Sequence, residues 1–201
     1  KKDIVKYNID EYDDIYSIPK DKLNMRFHQS LHRKQAFMRI NEGHKQILYG
    51  IKPRSGKTYI SGGLISLMHE CSDYENLNVL IITPAPTETI PQFTEDLFNK
   101  FIDFKDFKIH TITSGKALEN INVCDSNNII VVSKQLIQNY IGDDTIVEIK
   151  ELKLNLIVFD ENHFTGTTDL SKDIFKSYSS KNTVKLYLTA TYNKPLHEWN
   201  I

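Results

Sequence analysis

Two hydrophobic periods alternate along this chain. Short, near-continuous apolar runs occur at Gln46-Ile47-Leu48-Tyr49, Val79-Leu80-Ile81-Ile82, Asn128-Ile129-Ile130-Val131-Val132, Leu154 to Phe159 and Val184 to Leu188. Runs this short, rich in β-branched residues, predict strands buried on both faces. Phe107 to Ile112 is a further candidate strand. Between them lie stretches with apolar residues at helical spacing: residues 27 to 42, ending near Gly43, then Thr58 to Cys71, about Phe93 to Phe101 after a Pro-containing loop, Gln135 to Tyr140, and Asp169 to Ser177. Residues 141 to 153 fit a helix or a hairpin. Strands alternating with helices predict βαβ units, an α/β fold and a mainly parallel sheet. There is no internal repeat and no low-complexity tract.

In open sheets of this kind ligands bind at the carboxyl ends of the strands. Three polar clusters follow directly after predicted strands. The first is Ser55-Gly56-Lys57-Thr58, between the strand at 46–49 and the helix from 58. A strand, a tight loop with Gly-Lys-Thr and a helix is the geometry that holds nucleotide phosphates. Lys57 would reach the β- and γ-phosphates, and the Thr58 hydroxyl would ligate Mg²⁺. The pattern wants a glycine five residues before Gly56, where Ile51 stands, and Arg54 occupies a place where glycine is common. An ordinary turn with an exposed lysine is the alternative.

The second cluster is Asp160-Glu161-Asn162-His163, after the strand ending at Phe159. In a nucleotide site Asp160 would hold Mg²⁺, and Glu161 would orient or deprotonate the attacking water. A polar helix cap is the alternative. The third is Thr189-Ala190-Thr191, whose hydroxyls can bond to the carboxylate loop and sense its state, or simply form a turn. All three in this order would arise by chance in fewer than about one such chain in ten thousand on average residue usage.

Composition narrows the picture without redirecting it. The chain has 201 residues, 40% hydrophobic and 25% charged, with a net charge of −1. That suits one soluble domain with a full core. There is no global basic field, so nucleic-acid binding needs a local surface. Cys71 and Cys124 lie far apart and outside metal-ligand spacing, which fits reduced thiols in a cytoplasmic compartment. No apolar run approaches membrane-spanning length, and a membrane partner is not expected. Residues 1–23 carry Asp10, Glu11, Asp13 and Asp14 and read as an N-terminal arm. The chain starts without methionine, as expected of a piece of something longer.

Taken together these segments resemble the first RecA-like domain of a superfamily-2 DExH-type helicase or translocase, over nearly all of the chain from about residue 24. Ile51 to Thr58 resembles motif I, the Walker A loop. Ile82-Thr83-Pro84-Ala85-Pro86-Thr87 with Gln92-Phe93 resembles motif Ia, Thr113-Ser114-Gly115 a weak motif Ib, and Val132-Ser133-Lys134-Gln135-Leu136 the next nucleic-acid-facing turn. Asp160 to His163 resembles the DExH box and Thr189 to Thr191 motif III. Arg26-Phe27-His28-Gln29 resembles the upstream segment that contacts adenine. The loop and the Thr-Ala-Thr-Tyr-Asn-Lys-Pro ending are most similar to helicases of large DNA viruses and to phage or restriction-type motors.

The resemblance implies a three-layer RecA-like P-loop domain over 24–201 that binds ATP and Mg²⁺. ATP would be held by Gln29, Arg54, Ser55, Gly56, Lys57 and Thr58, with Thr58 and Asp160 at the metal. Lys57, Asp160, Glu161 and His163 would act in hydrolysis. Thr83, Pro84, Thr87, Ser114, Gly115 and Ser133 would touch the phosphate backbone of a nucleic acid, DNA favoured over RNA. His163, Thr189 and Thr191 would couple the two sites. Phe27 and Tyr49 are expected in the core rather than as adenine stackers. The implied activity is nucleic-acid-dependent ATP hydrolysis driving movement along a strand, in the cytoplasm, or in the host cytoplasm or nucleus if viral. The second RecA-like domain is missing from this sequence, so the piece alone is expected to be nearly inactive. Two other functions compete: the ATPase of a viral DNA-packaging terminase, and a non-catalytic nucleotide-gated nucleic-acid-binding module. His163 and Arg26–Gln29 favour the helicase reading, and intact Lys57, Asp160 and Glu161 argue against the module.

Overall fold

Strands and helices alternate as the apolar runs demand. The computed structural model describes residues 21–52, 54–71, 74–84, 86–113, 126–142, 146–160 and 169–190. The strands are β1 (Gln46–Gly50), β2 (Asn78–Thr83), β3 (Phe107–Ile112), β4 (Asn127–Ser133), β5 (Leu156–Phe159) and β6 (Val184–Thr189). The helices are α1 (Phe27–Asn41), α2 (Lys57–Cys71), α3 (Pro86–Phe93), α4 (Lys134–Ile137), α5 (Val147–Glu151) and α6 (Asp169–Tyr178). The strands form one six-stranded sheet in the order β1-β6-β5-β2-β4-β3, and each described pairing is parallel.

Successive residues of a strand point to opposite faces, and both faces here are covered. Val79, Ile81, Ile129, Val131, Val158 and Leu186 join Ile60, Leu64 and Phe93 in one core beneath α1, α2 and α3. Leu80, Ile82, Ile130, Val132, Ile157 and Tyr187 join Ile137, Ile149, Ile174 and Phe175 in the other, beneath α4, α5 and α6. The result is a three-layer α/β domain. Among the described residues no helix is long and apolar enough to cross a membrane.

At the amino ends of the strands, asparagines replace apolar residues and clasp neighbouring strands and loops. Asn128 Nδ2 donates to Asn78 Oδ1 at 2.9 Å, and Asn78 Nδ2 donates to Leu152 O at 2.8 Å. The backbone N–H of Asn78 donates to Asn155 Oδ1 at 2.7 Å, and that of Leu77 to Asn127 Oδ1 at 2.8 Å. These bonds fix the stagger of β2, β4 and β5, and with it the level at which each strand reaches the opposite edge.

One element departs from the expected pattern. The segment predicted as a Pro-containing loop and a helix from about Phe93 to Phe101 is helical from Pro86, and turns into a π-helix over Thr94–Phe98. Proline is tolerated in a helix's first turn, where its missing N–H has no partner to lose. Pro91 sits deeper, and the ladder adapts just after it. Thr94 Oγ1 donates to Ile90 O at 3.0 Å, and Asn99 N reaches back five residues to Thr94 O at 2.8 Å. The wider turn brings Phe93, Leu97 and Phe98 into the core together. Across from it stands Gly62 of α2, where a Cβ would come within 2.5 Å of Leu97 Cδ2. Within the ambiguous stretch 141–153, the described residues hold helix α5 over Val147–Glu151. Ile146 N donates to Tyr178 Oη at 3.0 Å, which anchors it to α6.

Candidate functional site

The loop after β1 begins inside the sheet. Ile51 N donates to Thr189 O at 2.9 Å, continuing the β1–β6 ladder by one residue. The Ile51 side chain is buried in the core, so the bulk that departs from the family pattern faces the core. The chain then reverses. Arg54 adopts φ 63°, the left-handed region that a glycine would occupy without strain. Its side chain is exposed. Gly56 follows at φ 80°, and the helix starts at Lys57.

Helix α1 braces this loop from behind. Gln29 is only 6% exposed. Its Oε1 accepts from Arg26 N at 3.0 Å, which caps α1, and its Nε2 donates to Ser55 O at 3.3 Å. His28 Nε2 lies 3.2 Å from the same carbonyl, which accepts when that nitrogen carries hydrogen. A Cβ on Gly56 would sit 2.3 Å from Gln29 Nε2. A side chain at this position would have to displace the Gln29 amide. His28 had no assigned role from sequence; its place between Arg26 and Gln29 was the available signal.

The first turn of α2 faces the same opening. Ile60 N bonds back to Gly56 O at 3.0 Å, and Ser61 Oγ donates to Thr58 O at 2.8 Å. Lys57 and Thr58 are partly buried there. A helix N-terminus offers outward-facing amides and the positive end of its dipole, an arrangement suited to phosphate. Together with the glycine cradle, this donor set fits a triphosphate.

Sheet order brings the other residues to this edge. β6 lies between β1 and β5, with Gly50 opposite Thr189 and Phe159 opposite Tyr187. Asp160 follows Phe159, its N–H donating to Ile82 O at 2.9 Å, and it is buried. The end of β6, carrying buried Thr189, thus stands between the phosphate-loop strand and the carboxylate strand. Glu161, His163, Thr191, Ser114 and Gly115 lie outside the described residues.

Further along the edge, Thr83 of β2 is paired with Ser133 of β4. Both are buried. Ser133 Oγ accepts from Leu136 N at 3.1 Å and so caps α4. Pro84 and Thr87 are exposed. Of these four residues, Pro84 and Thr87 are accessible, while Thr83 and Ser133 are buried. Lys134, beside Ser133, has its ammonium pKa lowered by partial burial. Two aromatic expectations separate. Tyr49 is a core residue, its hydroxyl donating to His32 O at 3.0 Å. Phe27 is 85% exposed, contrary to the core placement expected of it. It stands on the side of α1 opposite Gln29, Ala36 and Ile40, which pack inward.

Comparison with known proteins agrees with this geometry. Residues 22–194 match the family model described as type III restriction enzyme, res subunit. No curated protein matches the chain in sequence. Among solved structures, the Sulfolobus solfataricus SWI2/SNF2 ATPase core in complex with dsDNA is similar, with TM-score 0.64 and 21% identity over 88% of this chain and 34% of that one. The type ISP restriction-modification enzyme LlaBIII bound to DNA gives TM-score 0.60 and 19% identity over 87% of this chain and 13% of that one. The UvsW helicase of bacteriophage T4 gives 0.53 and 18%, over 94% of this chain and 62% of that one. The chain thus spans less than two thirds of each of these relatives. It belongs to the family of the type III restriction enzyme res subunit, and its fold is that of the first RecA-like domain of a superfamily-2 helicase.

Proposed function

We propose that this chain is the ATP-binding lobe of a nucleic-acid motor that couples ATP hydrolysis to movement along DNA. The observation that carries the reading is the shared edge. The Gly56-Lys57-Thr58 turn opens α2 after β1, Asp160 directly follows β5, and the end of β6 with Thr189 stands between them. Lys57 and the first turn of α2 would hold the phosphates, and Thr58 and Asp160 would hold Mg²⁺. Bound Mg²⁺ would neutralise charge on the phosphate oxygens. Glu161, next after Asp160, would take the proton of the attacking water.

The backbone bond from Ile51 to Thr189 gives the coupling a physical path. The phosphate loop is fastened to the strand end that adjoins the carboxylate strand. A shift in the loop on nucleotide binding would be passed to Thr189 and to the loop after it. Buried Thr83 and Ser133 would support the nucleic-acid face, with Pro84 and Thr87 presented to the phosphate backbone. Contacts of that kind do not read sequence, as suits a motor. DNA is favoured over RNA in this reading, which is supported by the res-subunit family match and by similar structures solved with DNA.

The reading needs a second RecA-like domain to stabilise the charge that develops during hydrolysis. The test uses a longer chain with both lobes. DNA should stimulate its ATP hydrolysis, and Glu161→Gln should bind ATP as wild type while losing turnover by about 10²–10⁴-fold. Absence of DNA stimulation would favour a nucleotide-gated binding module, and full turnover in Glu161→Gln would remove Glu161 as the base.

A further inference from the structure

Helix α2 meets the π turn of Thr94–Phe98 through Tyr59 and Gly62, which share one helical face. Tyr59 follows Thr58 in the first turn of α2, the turn that faces the phosphate-loop opening. Its Oη donates to Asp96 O at 3.3 Å. Its ring stands edge-on to Phe101, with centroids 6.0 Å apart and planes at 73°. One turn further along α2, a Cβ on Gly62 would meet Leu97 Cδ2 at 2.5 Å, so the helix and the π turn lie close together.

Asp96 O can accept from Tyr59 because the π turn diverts the amides that follow it. In an α-helix that carbonyl would accept from the N–H of Lys100. Here Lys100 N and Phe101 N both donate to Leu97 O, each at 3.2 Å, and Asn99 N donates to Thr94 O at 2.8 Å. The Tyr59 hydroxyl supplies the donor that the helix does not. A π turn within an α-helix is frequently found at a functional position, and this one has a second arrangement close by. An α-helical turn would move the Asn99 N–H from Thr94 O to Glu95 O, four residues back. Asp96 lies inside the ring that this exchange closes, and the bond to Tyr59 holds it in the wide arrangement. The same helical segment begins at the sheet's carboxyl edge. Exposed Thr87 is the second residue of α3 and stands before Asp96 by roughly 13 Å along the helix axis.

We propose that Tyr59 is a positioning residue that ties the nucleotide site to the Pro84–Thr87 edge by holding the π turn through Asp96 O. Phosphates drawn onto the first turn of α2 shift Tyr59 with that turn. The hydroxyl passes the shift to Asp96 and, through α3, to Thr87. A packed helix with two discrete arrangements is the kind of element that carries such coupling. This path is separate from the bond between Ile51 and Thr189, which leads to the carboxylate strand. The proposal rests on the reading of the loop from Ile51 to Thr58 as a triphosphate site, and its test reads that loop and the π turn separately.

The experiment is an amide NMR titration of this chain with Mg²⁺ and a non-hydrolysable ATP analogue, in wild type and in Tyr59→Phe. Phenylalanine keeps the ring against Phe101 and removes the hydroxyl alone. The Gly56 amide reports the phosphate loop, the Asn99 amide the π turn and the Thr87 amide the edge. The readout is the displacement between nucleotide-bound and free spectra of the same protein, which a merely structural hydroxyl leaves unchanged. In wild type all three signals should move along one saturation curve. In Tyr59→Phe the Gly56 signal should still saturate, while the Asn99 and Thr87 displacements should shrink about 5-fold, the population shift that one neutral hydrogen bond carries. Equal displacements in the two proteins would overturn the proposal. So would a wild-type Gly56 response during which Asn99 and Thr87 stay still. A wild-type Gly56 signal that does not respond would overturn the triphosphate site, and the proposal with it.

Discussion

Alanine at Gly56 puts the contact between α1 and the phosphate loop under direct strain. The residue has φ 80°, where a side chain costs about 1–2 kcal/mol. The new Cβ would lie 2.3 Å from Gln29 Nε2, far inside contact distance. Gln29 is buried and tied at both ends, to Arg26 N and to Ser55 O, so its amide cannot retreat without breaking a bond. Losing the bond to Ser55 adds about 1 kcal/mol. Gly56→Ala should therefore destabilise the chain by about 2–3 kcal/mol. Truncating Gln29 removes the obstacle, so the Gln29→Ala/Gly56→Ala pair should be less destabilised than the sum of the singles by about 1 kcal/mol. Urea denaturation of the four proteins of the cycle gives that coupling energy. Additivity within about 0.3 kcal/mol would mean that Gln29 does not pack on Gly56, and the bracing of the loop by α1 would be wrong.

Arg54→Gly should relieve left-handed strain of about 1–2 kcal/mol, offset in part by the freer unfolded chain. A net stabilisation of about 0.5–1 kcal/mol is expected as a higher urea midpoint, and a lower midpoint would show that the arginine side chain contributes more than its strain costs. Stability should also fall at alkaline pH. Burial holds the hydroxyls of Tyr49 and Tyr187 protonated well above the usual tyrosine range. The unfolded chain releases those protons near pH 10 while the folded chain keeps them, so each contributes stability below pH 10 that is lost as pH rises, at about 1.4 kcal/mol per pH unit. The lowered pKa of Lys134 and Lys185 acts in the opposite sense just below their unfolded value. Denaturation series from pH 8 to 11 should show the tyrosine decline above pH 10, which Tyr49→Phe should reduce; a flat profile would place these hydroxyls in contact with water.

Much of the fold could be read from the chain because doubly covered parallel strands have a plain signature. Val79–Ile82 and Ile129–Val132 are continuous apolar runs, and they are central strands buried on both faces. The strand-to-helix turn at Gly56, Lys57 and Thr58 was legible because its signals are local in sequence. What sequence could not supply was non-local. The insertion of β6 between β1 and β5 follows from the pairing of the last strand with the first, which no local pattern records. Ile51 looked like a flaw in the loop until its N–H was found on Thr189 and its side chain in the core. Pro86 and Pro91 read as loop residues, yet one opens a helix and a π turn follows the other. Phe27 read as core because aromatic residues favour burial, but the inward face of α1 is set by Gln29, Ala36 and Ile40.

The central claim is that the loop from Ile51 to Thr58 holds a triphosphate. Calorimetric titration of a non-hydrolysable ATP analogue with Mg²⁺ into this chain and into Lys57→Ala tests it most directly. The account predicts saturable one-to-one binding by the wild-type chain. Loss of the lysine's charge-assisted bond, about 1.5–3 kcal/mol, should weaken it by about 10-fold or more. Binding of equal strength by the two proteins, at the same stability, would contradict the account.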